Sequence, residues 1–163
     1  MEIDLNPLDQ IIEKWESRRD FLIEILQDIQ DKYNYLPSEV LIEASKILDI
    51  PLNQIYEVTT YYKAFSLEPK GRFKINICQG TACHVQGAEV ILNAFERELE
   101  IKVGETDKNM DFTLDIVRCI GCCGLAPVMT INQDVYAKYD PSQVPKTVEK
   151  HKKMPREKSS ENI

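Results

Sequence analysis

Five cysteines carry the chemistry that can be read from this chain, and all of them lie between positions 78 and 123. They form two groups, Cys78 and Cys83 within ICQGTACH, and Cys119, Cys122 and Cys123 within RCIGCCGL. The number is odd, and the start Met1-Glu2-Ile3-Asp4 has neither a basic region nor an apolar signal segment, so reduced thiols are expected rather than a closed disulfide framework. Reduced thiols pack, react or bind metal, and this degree of clustering points to a site. Gly80 lies inside the first group, and Gly121 and Gly124 bracket the end of the second. Glycine lets a backbone bend sharply around a bound group, and the N–H groups of such loops can donate to sulfur. Four thiolates with backbone donors suit an iron–sulfur cluster or zinc.

Spacing weighs between these two. Structural zinc sites most often pair cysteines two residues apart, whereas four residues separate Cys78 from Cys83, which disfavours zinc. Within the second group, spacing leaves open Cys119 with Cys122, Cys119 with Cys123, or the adjacent Cys122 and Cys123. A Rieske centre needs two histidine ligands, but the chain has His84, beside Cys83, and His151, in a lysine-rich stretch. A thioredoxin-type dithiol at Cys119-Ile-Gly-Cys122 would leave Cys78, Cys83 and Cys123 without a role.

Elements must deliver these loops. Up to about residue 65 the apolar period is helical. Leu8, Ile11, Ile12 and Trp15 form one stripe, and Leu22, Ile25, Leu26 and Ile29 form another after the charged step Arg18-Arg19-Asp20. Trp15 is expected to pack in the core. Ser38 is expected to cap a helix through Val40, Leu41, Ala44 and Leu48, and Pro51 starts a short one through Ile55 and Val58. Tyr56, Tyr61, Tyr62 and Phe65 are read as aromatic packing of that helix onto the next domain. From about residue 71 the period falls to two. Phe73, Ile75 and Ile77 form a strand that ends at Cys78 and hands it to a loop, a helix spans 87–99, and Phe112, Leu114 and Ile116 form a second strand running toward Cys119. Val128–Ile131 with Val135-Tyr136 reads as a hairpin, followed by a short helix near 145–152. The expected domains are a helical one over 1–68 and a cysteine-bearing α/β one over 69–150, with a disordered, locally basic tail over 151–163.

The chain of 163 residues has room for one compact domain, or for a small domain with a helical extension. A net charge of −7 argues against a nucleic-acid backbone as the main partner. No apolar run approaches the roughly 18 residues needed to span a bilayer, so no direct membrane insertion is expected. The expected location is cytoplasmic, with room for association with a membrane complex facing that side.

Further segments carry a resemblance: Tyr35-Leu36-Pro37, Ile50-Pro51, Tyr61-Tyr62, Cys78 to Cys83 followed by Gly87-Ala88, and Arg118-Cys119-Ile120-Gly121-Cys122-Cys123 running into Ala126-Pro127-Val128. Together they resemble the small thioredoxin-like 2Fe-2S subunit of NADH dehydrogenase and its relatives in NAD-linked hydrogenases and formate dehydrogenases. The family usually has Phe-Tyr at Tyr61-Tyr62, and a commoner Asp-Gly turn where this chain has Asp107-Lys108-Asn109-Met110-Asp111.

The resemblance implies an α+β protein, with an N-terminal helical bundle followed by a thioredoxin-like α/β domain with a mixed sheet. It implies one 2Fe-2S cluster held by Cys78, Cys83, Cys119 and Cys123, leaving Cys122 as the extra thiol. It also implies FMN and NAD(H) on a larger partner subunit, with further iron–sulfur subunits in a hetero-oligomeric complex. The chain's own part would be electron transfer, with no catalytic acid, base or nucleophile. The absence of a Gly-rich dinucleotide fingerprint or phosphate loop fits that division of labour. The alternatives are a zinc-stabilised adaptor and, third, a thiol oxidoreductase.

Overall fold

The computed structural model describes residues 4–155. The chain divides into two compact units, one through Pro69 and the other from Lys70. Residues 156–163 of the expected tail lie outside the described residues. No helix among the described residues is long and apolar enough to cross a membrane.

The first unit is built from α1 (Asn6–Lys14), α2 (Leu22–Tyr33), α3 (Ser38–Leu48) and α4 (Leu52–Tyr61). Its apolar stripes meet in one core, where Leu8, Ile25, Leu26, Ile29, Leu41 and Ile55 are fully buried. Burial of such a side chain stabilises by about 1.5–3 kcal/mol. Trp15 packs against this core, and its indole N–H donates to Asp28 Oδ2 at 2.7 Å, beside the Lys14 ammonium at 2.8 Å. Burial pushes the Asp28 carboxyl up, but the bonds from Lys14 and Trp15 outweigh it and hold the group below the usual carboxylate range.

One expectation fails in this unit. Ser38 is the first residue of α3 rather than its cap: Pro37 holds the cap position in extended conformation, and the Ser38 hydroxyl donates to Glu39 Oε2 at 3.0 Å. Proline's fixed φ places it at the helix boundary without a capping oxygen. Tyr61 stands 80% exposed in this unit, whereas Tyr56 and Phe65 pack on the helical core.

The second unit carries a four-stranded mixed sheet in the order β2-β1-β3-β4, from β1 (Phe73–Cys78), β2 (Phe112–Val117), β3 (Met129–Ile131) and β4 (Asp134–Tyr136). β1 and β2 run parallel in the register Phe73↔Phe112 through Cys78↔Val117, and β3 pairs antiparallel with both β1 and β4. A parallel neighbour needs a crossover, and here the chain passes through α5 (Thr81–Val85) and α6 (Ala88–Leu99). Ile91 and Phe95 of α6 and Val144 and Val148 of α7 (Val144–Lys152) share a buried core with Ile75, Ile77 and Leu114 of the sheet. β2 is an edge strand, and its last expected core residue, Ile116, is 44% exposed.

The boundary expected at 150 falls within a helix. α7 runs to Lys152, and His151 is 3% exposed, with its ring edge-on to Phe73 at a centroid distance of 4.9 Å. His151 follows Val144 and Val148 at helical spacing, so it shares their buried face while the neighbouring lysines point to solvent. Arg72 grips the segment beyond the helix, donating to the carbonyls of Met154 at 3.0 Å and Pro155 at 2.9 Å.

Ahead of β2, Asp107 organises the loop where the Asp-Gly turn is missing. Its Oδ1 accepts the N–H groups of Asp111 at 2.7 Å and Phe112 at 2.8 Å. Met110 takes the left-handed conformation there, at φ 57°.

Candidate metal centre

Two neighbouring parallel strands, β1 and β2, release their chains at the same end of the sheet, and this juxtaposes the two cysteine groups. Cys78 is the last residue of β1, and the Gln79 N–H after it donates to the carbonyl of Val117, the last residue of β2, at 2.8 Å. Cys83 sits on α5 rather than on a loop. Cys78 and Cys83 are both buried, Cys119 and Cys123 are exposed, and Cys122 is intermediate.

All five thiols line one cavity of about 1060 Å³, so the structure brings together the residues singled out in the sequence. Cys78 closes β1 and Cys83 follows on α5, so the first group reaches the cavity from two successive elements. From the other loop, the Cys119 sulfur lies 3.6 Å from the point where a side chain on Gly80 would begin. Cys122 lines the same cavity and packs, partly buried, against the core that Cys78 and Cys83 join.

Backbone donors reach the sulfurs. The Gly121 N–H donates to Cys119 Sγ at 3.3 Å, which requires a turn with Gly121 at φ 89°, a conformation open to glycine and strained for other residues. Burial pushes the Cys78 thiol up, but hydrogen bonds from the backbone at Gly80 and Ile120, and from Cys83, outweigh it and set the thiol below its ordinary value. At Cys83 burial dominates and raises the thiol, helped by Cys78 and Cys123, against an opposing backbone bond from Val128. Backbone donors thus favour the charged form at Cys78, and burial disfavours it at Cys83.

Among the described residues, no three His, Cys, Asp or Glu side chains gather closely enough to hold a single metal ion. Cysteines from two loops that share one cavity, with the Gly121 N–H donating to Cys119 Sγ, fit a 2Fe-2S cluster, whose two irons divide a set of thiolates between them. Sequence reasoning found every cysteine here but missed α5, which at five residues is too short to show a period.

A helix-covered mixed sheet that opens a thiol-lined cavity at its strand ends marks an iron–sulfur protein on a thioredoxin-like scaffold. The chain belongs to the thioredoxin-like 2Fe-2S ferredoxin family, which it matches over residues 8–152. It is similar to the NADP-reducing hydrogenase subunit HndA of Solidesulfovibrio fructosivorans, with 36% identity over 84% of this chain and 80% of the relative. It is also similar to an NADH-quinone oxidoreductase subunit of Rhizobium meliloti, with 34% identity over 80% of this chain and 78% of the relative. Among solved structures, an NAD+-reducing NiFe-hydrogenase in the air-oxidised state shares the fold at a TM-score of 0.71 and 21% identity, over 81% of this chain. This chain spans 23% of that longer one. The named relatives are thus subunits of oxidoreductases.

Proposed function

We propose that this chain is an electron-transfer subunit holding one 2Fe-2S cluster on Cys78, Cys83, Cys119 and Cys123, and that it serves a flavin-bearing, NAD(H)-linked partner subunit in a larger oxidoreductase complex. The observation that carries the reading is that these four cysteines, from two loops, line one cavity, where the Gly121 N–H donates to Cys119 Sγ and Cys119 lies against Gly80. A bound cluster supplies one-electron storage at a potential set by burial, net charge and donors to sulfur. The protein's residues do the rest. Gly80, Ile120 and Gly121 offer backbone donors to Cys78 and Cys119, and the buried sheet end keeps Cys78 and Cys83 away from water. No acid, base or nucleophile is needed for this task.

Metal analysis of anaerobically purified protein tests the reading, together with its absorbance and low-temperature EPR spectra before and after dithionite. The expected result is about two irons and two sulfides per chain, with an EPR signal that appears on reduction. One zinc per chain with no iron would replace the reading with the zinc-stabilised adaptor.

In the helical unit, the exposed Tyr61 and Tyr62 at the end of α4 support a role in gripping the flavin-bearing partner. Exposed aromatic residues are the side chains most often responsible for affinity at protein interfaces. Substituting serine at both positions is expected to weaken binding to that partner about tenfold, leaving the iron content unchanged. Titration by surface-captured partner reads this directly, and unaltered affinity would remove the role from these residues.

A further inference from the structure

The charged residues lining the thiol cavity are Arg118 and Lys138, with no Asp or Glu among the described residues that line it. The chain as a whole carries 27 acidic residues against 20 basic ones, so the cavity reverses the charge balance of the protein.

Both cations hang from backbone that is held in place. Arg118 directly follows β2, where the Val117 carbonyl accepts the Gln79 N–H at 2.8 Å, and its own carbonyl lies 3.1 Å from the point where a Gly80 side chain would begin. The Lys138 N–H donates to the Leu125 carbonyl at 2.8 Å, and the next N–H, of Tyr139, donates to the Pro127 carbonyl at 3.1 Å. Tyr139 anchors this strap from within, being 4% exposed, stacked on Phe95 at 6.1 Å and bonded through its hydroxyl to Thr147 Oγ1 at 2.7 Å. Lys138 itself has φ 47°, in the left-handed region where glycine or asparagine is the cheaper choice. The loop therefore presents a lysine at the cavity at some conformational cost.

We propose that Arg118 and Lys138 are positioning residues that set the midpoint potential of the centre in this cavity, raising it by favouring the reduced state. The proposal rests on the cluster reading above. Reduction adds one electron, delivered by a reduced flavin or by dithionite in a titration, and no proton. The charge enclosed by the thiolates becomes more negative by one, and a fixed cation nearby stabilises the product more than the reactant. Both side chains are exposed, so the effect is moderated by solvent and shrinks as salt rises.

The test is a dithionite titration, monitored by EPR, of the full-length protein and of Arg118→Gln, Lys138→Gln, the double variant and Arg118→Lys, with iron content measured on each. At a fixed applied potential, each charge removal is expected to lower the ratio of reduced to oxidised centre about threefold. The double variant is expected to show roughly the product of the two, and Arg118→Lys to restore most of the loss. A threefold difference that diminishes in concentrated salt confirms the electrostatic cause. Full iron content with unshifted titrations would overturn this proposal and leave the cluster reading standing. A wild-type chain without iron would overturn both.

Discussion

Cys123→Ala is expected to strip the protein of its iron, while Cys122→Ala keeps about two irons per chain and the visible absorbance. The two residues are neighbours in sequence, so the contrast isolates geometry from local composition. Cys123 is exposed at the cavity, whereas Cys122 is partly buried and packs against the apolar core. For Cys122 the loss is one small buried group, about 1 kcal/mol of stability or less. For Cys123 the loss is a proposed ligand, and a cluster left with three thiolates is exposed to solvent at the open corner. Cys78→Ala, Cys83→Ala and Cys119→Ala are expected to behave like Cys123→Ala. Iron and sulfide analysis with visible spectra checks all five. A colourless Cys122→Ala protein alongside a coloured Cys123→Ala protein would reverse the assignment.

Gly71→Ala is expected to destabilise the second unit by about 3 kcal/mol, the upper range for a substitution that overfills a tight site. A methyl group there would begin 2.6 Å from the Phe112 carbonyl carbon and 2.8 Å from its nitrogen, closer than real side chains come. Those atoms are backbone, so no rotamer change relieves the overlap. The surroundings are also held. The Gly71 N–H donates to Thr113 Oγ1 at 2.6 Å, Arg72 N–H to the Met110 carbonyl at 3.1 Å, and Phe73 N–H to the Asp111 carbonyl at 2.7 Å. Relief would have to separate β1 from β2 at their start, and these two strands carry the cysteine loops at their other end. Urea denaturation followed by far-UV circular dichroism measures the loss. A midpoint within error of wild type would show that the strands part there at little cost.

Much of this architecture is legible in the residues themselves. The alternation of Phe73, Ile75 and Ile77 marks a strand because each faces the same buried core, and the structure begins and ends β1 where that alternation does. The helical stripes at Leu8 and Ile12, and at Ile25 and Ile29, are legible for the same reason. Clustered cysteines with glycines between them signal a site without any knowledge of the fold. What escapes such a reading depends on contacts between distant segments. Nothing local distinguishes Gly71 from a loop glycine, since its constraint is the backbone of Phe112. His151 sits amid lysines, and its burial depends on Phe73 lying across from it. Spacing likewise leaves the choice between Cys122 and Cys123 open, and the proposed assignment to Cys123 follows the family resemblance.

Arg72 stands two residues into the second unit, yet it holds the carbonyls of Met154 and Pro155. The approach to β1 and the segment after α7 are therefore tied together, on ground away from the cysteine loops that leave the far ends of β1 and β2. A clasp at that place means that fraying of the last helix is felt first where β1 begins and only afterwards at the thiol cavity.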